Sequence, residues 1–149
     1  GNIGCLEMLA SGTAVAKEAI RRISCGESSS LSEIVGGKIE DITAEKVGVA
    51  AQGGDPLALN VVSKAATYLG VGMVNLINIF NPEMIIVGGG MAKMGDLLLA
   101  PARWVVQERA FQLSTQAVRI VLAQLGDDAG VVGAAVFAYE QESSLLNPS

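Results

Sequence analysis

Three short stretches hold the residue types that could bind a ligand or take part in a reaction. The first is Gly1-Asn2-Ile3-Gly4-Cys5-Leu6-Glu7, followed by Ala10-Ser11-Gly12. Its glycines place Cys5 at a tight entry to a helix, a position at which a thiol is a good metal ligand. Glu7 sits one residue inside that helix and could reach into a cleft beside it. The same residues also read as a buried cysteine and a glutamate that complements the helix dipole. One cysteine is not a metal site, so the residues alone favour this plainer reading.

The second stretch is Gly88-Gly89-Gly90, at the end of the apolar run Met84-Ile85-Ile86-Val87. A strand that ends in glycines exposes backbone amides and lets a ligand approach without Cβ clashes. A tight turn between strand and helix needs glycine as well. The cluster is not a dinucleotide fingerprint, because Lys93 stands in the place of the third glycine. It is not a P-loop either, because no Gly-Lys-Ser/Thr follows. The third stretch, Leu125 to Ala135, reads as a helix with a packing face of small residues, Gly130, Gly133, Ala134 and Ala135.

The chain contains no histidine, which removes imidazole acid–base catalysis from within it. Glu40, Asp41, Asp127 and Asp128 could form a carboxylate pair, but nothing in the sequence brings them together. Cys25 reads as a small half-buried thiol and Trp104 as a core or interface residue.

The elements that must position these residues follow from hydrophobic spacing and caps. Apolar or small residues at Leu6, Leu9, Thr13, Ala16, Ile20 and Ile23 recur at helical intervals, predicting one helix over 6–23 that stops at Gly26. Irregular structure or a short helix from Ser32 is expected over the polar stretch 27–42, and Thr43 can cap another helix through Ala51. Asp55-Pro56 reads as a cap plus first helical residue. It opens a long helix with Ala58, Val62, Ala65, Leu69, Met73, Leu76 and Phe80 on one stripe. Asn81-Pro82 ends it, since proline disfavours helix in the residue before it. Met84 to Val87 reads as a buried strand. A helix over 97–110, a second strand over 118–122 and a last helix from Ala129 to about Tyr139, capped by Asp127 or Asp128, complete the series. Strands alternating with helices indicate an α/β layer with parallel pairing. Two strands make a poor sheet, so the architecture reads as incomplete.

Composition narrows the classes. Of the 149 residues half are apolar and 17% are charged, enough to bury a core and against disorder. The net charge is −5, and no cluster of Lys and Arg exceeds the pair Arg21-Arg22. Nucleic acid is therefore not an expected partner. Two cysteines do not make a disulfide framework, which suits a reducing cytoplasm. No signal peptide is visible. The apolar segment Ala65 to Phe80 is interrupted by polar residues and glycines and is short of the roughly 20 residues of a membrane span. The first residue is Gly1 rather than Met, which suggests a processed product or a piece of a longer chain.

Taken in order, these segments resemble the ROK family (repressors, uncharacterised reading frames and kinases). Gly1, Gly4, Cys5 and Glu7 are similar to the last four fixed positions of its motif Cys-x-Cys-Gly-x-x-Gly-Cys-x-Glu. The order long helix, Asn81-Pro82, apolar strand, Gly88-Gly89-Gly90 resembles the adenosine-binding segment of the actin, hexokinase and Hsp70 superfamily. Leu125-Gly126-Asp127-Asp128-Ala129-Gly130-Val131-Val132-Gly133-Ala134-Ala135 is similar to the family's Leu-Gly-x-x-Ala-Gly-x-x-Gly-Ala-Ala.

The resemblance implies the C-terminal portion of a ribonuclease-H-like (actin-like ATPase) α/β fold, helix-rich with few strands. Residues 1–140 would form the domain, incomplete on its N-terminal side, and 141–149 a flexible tail. It implies an ATP- and Mg-dependent hexose kinase, glucokinase-like, in which Glu7 contacts the sugar and Gly88, Gly89 and Gly90 approach the nucleotide. Cys5 would be one of four ligands to a structural zinc, which this chain alone is then not expected to hold. The catalytic aspartate and first phosphate loop would lie upstream of Gly1, leaving no catalytic residue to assign here. Glucose is the expected sugar, with N-acetylmannosamine, N-acetylglucosamine, fructose or allose as alternatives, and a homo-oligomer the expected assembly. A sugar-sensing repressor with the same sugar pocket and no ATP site is the rival reading; an inactive remnant is a third. Repressors of the family tend toward Gly-Ser-Pro-Leu where this chain has its triple glycine.

Overall fold

A computed structural model describes residues 4–146; Gly1 of the first motif and the last residues of the expected tail lie outside them. Helices α1 (Leu6–Ala10), α2 (Gly12–Ser24), α3 (Leu31–Ile34), α4 (Ala44–Gln52) and α5 (Pro56–Phe80) precede strand β1 (Met84–Val87). Then come α6 (Asp96–Arg109), α7 (Gln112–Ala117), strand β2 (Arg119–Leu122) and α8 (Ala129–Leu146). Short 3-10 turns lie at Ile39–Asp41, Gly90–Met94 and Gly126–Asp128.

Helix starts follow the local chemistry. Ser11 accepts a hydrogen bond from the Ala14 amide at 3.2 Å, Thr43 from Lys46 at 3.3 Å and Asp55 from Ala58 at 2.8 Å. Each cap satisfies one of the donors that a helix leaves unpaired in its first turn. The Ser11 cap corrects the expected single helix over 6–23. Ser11 is extended (φ −81°, ψ 163°), so the chain breaks there and starts α2 afresh. At the other end of α5, Asn81 adopts φ 44° and ψ 54°. This left-handed stop is one that asparagine tolerates better than most residues, and Pro82 prevents the helix from resuming.

Helix α5 is the central element. It has 25 residues, long and apolar enough to cross a membrane by length and composition, so the shorter estimate from Ala65 is superseded. Half of its most apolar window is buried within this fold, as suits a core helix. Its N-terminal half enters a core with Val15, Ala19, Leu31, Val47, Met94 and Leu98. Its C-terminal half enters a second core with Leu99, Ala102, Val105 and Val106 of α6. Leu69 touches both. Full burial of a side chain such as Leu31, Ile77, Leu98 or Leu99 contributes about 2 kcal/mol each. The expected stripe holds through Met73 and then fails: Leu76 and Phe80 are exposed.

The two strands pair in parallel, Met84 with Arg119 through Val87 with Leu122. They are the whole sheet among the described residues. Ile85, Val87 and Ile120 pack on the second core, and Arg103 Nη2 of α6 donates to the Ile120 carbonyl at 2.8 Å. Ile86 is 64% exposed, so β1 is not the buried strand its composition suggests. No further layer among the described residues covers its other face. Helix α8 runs beyond Tyr139 to Leu146. Its small-residue face also lacks the expected neighbour, for a Cβ added at Gly130 or Gly133 would meet nothing within 4 Å.

Two glycines of α5 test how tightly it is held. A Cβ at Gly70 would lie 2.7 Å from Val105 Cβ and 2.8 Å from the Ala102 carbonyl, whereas one at Gly72 would meet only the flexible end of Leu6. Gly70→Ala is expected to lower unfolding free energy by about 2 kcal/mol, since overpacking against backbone outweighs the gain in helix propensity. Gly72→Ala is expected to be near neutral in the same urea titration. An equal response of the two variants would refute the close crossing.

Asp55 supplies a second test. Burial, the largest influence, pushes its carboxyl up. Hydrogen bonds from the Ala58 amide, the Ser30 amide and hydroxyl and the Ser29 hydroxyl together outweigh burial and hold it below its ordinary value. A depressed carboxyl adds stability that is complete above its unfolded value, about 4, and is lost as pH falls through the lower folded value. Asp55→Ala is expected to cost about 3 kcal/mol at neutral pH. It should also flatten the loss of stability below about pH 4; thermal melts across pH would show an unchanged acid slope if the network were not formed.

Candidate functional site

The break at Ser11 shapes two cavities. Helices α1 and α2 lie against α5, and Ser11 and Thr13 at their junction line both cavities. One cavity, of about 360 Å³, is bounded by Glu7 of α1, Glu18 of α2, and Lys64 and Tyr68 of α5. Glu18 pairs with Arg21 at 2.8 Å and Lys64 at 3.7 Å. The hydrogen bond from Arg21 holds its carboxyl below its ordinary value. Arg21 and Lys64 line the same cavity, so this wall carries mixed charge, beside the exposed Glu7.

The second cavity, of about 590 Å³, lies between the junction, α4 and the turn after β1. Gly12, Gly48, Val87, Gly88, Gly90 and Met94 are among its walls. Gly88 and Gly90 face it, while Gly89, at φ 81°, makes the bend between them. Neither Gly88 nor Gly90 has a positive φ, and a Cβ at Gly88 would meet only Ala123 Cβ at 3.4 Å. The fold itself therefore has room for a side chain at either position.

The first turns of α2 and α4 meet at the rim of this cavity. A Cβ at Gly12 would come to 3.3 Å from Ala44 Cβ. Gly12 and Ala44 are the first residues of their helices, so two helix N-termini, with their unpaired amides and positive dipole ends, are brought together.

The two sequence-predicted groups thus occupy different cavities that share a wall: Glu7 one, Gly88 and Gly90 the other. Cys5 precedes α1 and is exposed. Among the described residues no three of His, Cys, Asp and Glu come together to hold a metal ion. The residues present therefore do not fit a zinc site, nor a magnesium site of protein carboxylates. Cys25 is exposed at the end of α2 rather than half-buried, because the helix ends there in a surface turn. Trp104, expected in a core or interface, is 61% exposed on α6. Glu40 and Asp41 form part of the 3-10 turn before α4.

Sequence reasoning missed the wall contributed by α4. Glu45, Gly48, Val49 and Gln52 all line the second cavity. The signal was a glycine inside a short capped helix, which marks a close approach: a Cβ at Gly48 would lie 3.3 Å from Met94 Cγ.

Known proteins give this geometry its context. The chain is 38% identical over 145 residues to a glucokinase of Halalkalibacterium halodurans, covering 97% of this chain and 44% of that protein. It is 33% identical over 133 residues to the xylose repressor of Caldicellulosiruptor bescii, covering 89% of this chain and 33% of the repressor. Among solved structures, a ROK family glucokinase from Streptomyces griseus in complex with glucose and AMPPNP superposes with a TM-score of 0.81 at 33% identity. That match covers 92% of this chain and 45% of the glucokinase. The chain thus spans less than half the length of the relatives it matches. Its fold is the α/β, helix-rich portion of a ribonuclease-H-like, actin-like ATPase domain. A family model described as ROK family matches residues 1–141, and the chain belongs to the ROK family.

Proposed function

We propose that the protein carrying this chain is an ATP-dependent hexose kinase, glucokinase-like, and that this chain supplies its nucleotide wall and a sugar-contacting carboxylate. The observation that carries the reading is the shared wall. Ser11 and Thr13 border both the cavity that holds Glu7 and the cavity floored by the glycine turn. A sugar in the first and a nucleotide in the second would then meet across the α1–α2 junction. Phosphoryl transfer asks mostly for such positioning and for charge stabilisation. The two converging helix N-termini beside the glycine turn supply backbone amides suited to phosphate oxygens. Glu7, accepting from sugar hydroxyls, is suited to orienting the acceptor. No base for the attacking hydroxyl is assigned among the described residues, and in this reading that step falls to the rest of the protein.

The glucokinase relatives and the structure with glucose and AMPPNP favour this reading. The repressor relatives favour a sugar-responsive regulator with the same sugar pocket. The full protein is expected to consume ATP only when a hexose is present, glucose above other sugars. A panel of sugars with coupled ADP detection checks this. Absence of turnover on every member, together with DNA binding, would establish the regulator instead.

Two substitutions separate the cavities. Glu7→Gln is expected to raise the KM for hexose about tenfold, the scale of a lost charged hydrogen bond, with the KM for ATP unchanged. Gly90→Ala is expected to weaken ATP about tenfold, as 1.4 kcal/mol does. Its melting temperature should hold, since nothing in the fold lies within 4 Å of the added carbon. Exchange of these two effects would refute the assignment of cavities.

A further inference from the structure

Helix α1 carries Glu7 with little of its own to hold it in place. None of its five residues is buried, and no side chain caps its start at Cys5. A helix this short does not persist in water without packing partners. Leu6 and Leu9 stand three positions apart and so share one side of it. Leu9 is half-buried on the wall of the smaller cavity. Leu6 lines neither cavity; its side chain lies instead over Gly72 of α5. A Cβ at Gly72 would come to 2.8 Å from Leu6 Cδ2, 3.3 Å from Cδ1 and 3.7 Å from Cγ. The end of Leu6 thus fills the space that a side chain at 72 would take.

Helix α5 has no need of its own for glycine at this position. Gly72 does not have a positive φ, and glycine inside a helix is less stable than alanine. Beyond α5 itself, the three atoms nearest to the missing carbon all belong to Leu6. Gly70 serves the crossing of α5 and α6; the hollow at Gly72 serves α1. Glu7 follows Leu6 directly, and its side chain leaves the helix about 100° further round the axis, at the cavity it lines.

Resting on the reading of Glu7 as the sugar contact, we propose that Leu6, seated on Gly72, is the positioning residue that sets where the Glu7 carboxylate stands in the sugar cavity. Leu6 acts through Glu7. A carboxylate oxygen displaced by about 1 Å leaves the narrow range of hydrogen-bond distances. The fit of one side chain on α5 is therefore passed to the sugar hydroxyls through a single turn of helix.

The test reads the KM for glucose, the KM for ATP and the melting temperature of the full protein. Leu6→Ala is expected to raise the KM for glucose about fivefold, short of the loss expected of Glu7→Gln, with the KM for ATP unchanged. Leu6 is 44% exposed, so the melting temperature should fall little, and circular dichroism checks that the variant folds. In a Glu7→Gln background, Leu6→Ala is expected to add nothing, giving about tenfold in all rather than the roughly fiftyfold of independent effects. Gly72→Ala combined with Leu6→Ala refills the hollow from the α5 side and is expected to recover most of the glucose affinity. An unmoved KM for glucose in Leu6→Ala, additive losses with Glu7→Gln, or no recovery in the Leu6→Ala, Gly72→Ala pair would each overturn the positioning role. Each leaves the sugar assignment standing as long as Glu7→Gln alone keeps its effect. An unchanged KM for glucose in Glu7→Gln would remove the sugar assignment and this proposal together.

Discussion

The near-contact of α5 and α6 at Gly70 is the constraint from which the rest of the arrangement follows. The missing side chain lets the Ala102 carbonyl and Val105 come against the α5 backbone. At that distance Leu99, Ala102, Val105 and Val106 close a core with Met73, Val74 and Ile77. The two strands lie on that core, and Arg103 ties α6 to the carbonyl of Ile120. The strand end that leads into Gly88 is therefore placed by a packing decision made four helical turns inside α5. A looser crossing would move the glycine turn relative to α2 and α4 and open the larger cavity.

The other half of the molecule is ordered by hydrogen-bonded helix starts. Asp55 joins the loop at Ser29 and Ser30 to the first turn of α5. It is the sole charged or polar residue buried among the described residues, and its contacts satisfy it fully enough to stay ionised. Arg22 extends the same connection by bonding both Glu27 and Asn60. These ties fix α2 against α5, and so fix Ser11, Gly12 and Thr13 between the two cavities. Rigid packing on one side and polar caps on the other thus position the same site from opposite directions.

Much of this was legible in the residues. Caps at Thr43 and Asp55, the stop at Asn81-Pro82, both strands and their parallel pairing could all be read from local chemistry. The Ser11 break was less visible, because Leu6, Leu9 and Thr13 keep helical spacing across it and periodicity carries no record of a reset. Helix α7 was missed, since Gln112 to Ala117 has little apolar pattern to detect. Strand β1 was misread as buried because β-branched composition reports propensity and cannot say whether a second layer is present to cover Ile86. The candidate site was half legible. Glycines and an isolated carboxylate stand out in a sequence; the α4 wall does not, because its role depends on which helix lies opposite. Only Gly48, an interior helical glycine, hinted at it.

The two-stranded sheet has a consequence for handling the protein in solution. Among the described residues each strand pairs on one edge alone, and Ile86 and Leu122 add apolar surface beside those edges. Unpaired strand edges are templates for another chain. Colloidal behaviour is then governed by two opposed quantities: the net charge of −5, which keeps copies apart, and the open backbone donors and acceptors, which draw them together. Added salt screens the first and leaves the second intact, so purification of this segment is best conducted at low ionic strength and well above its isoelectric point.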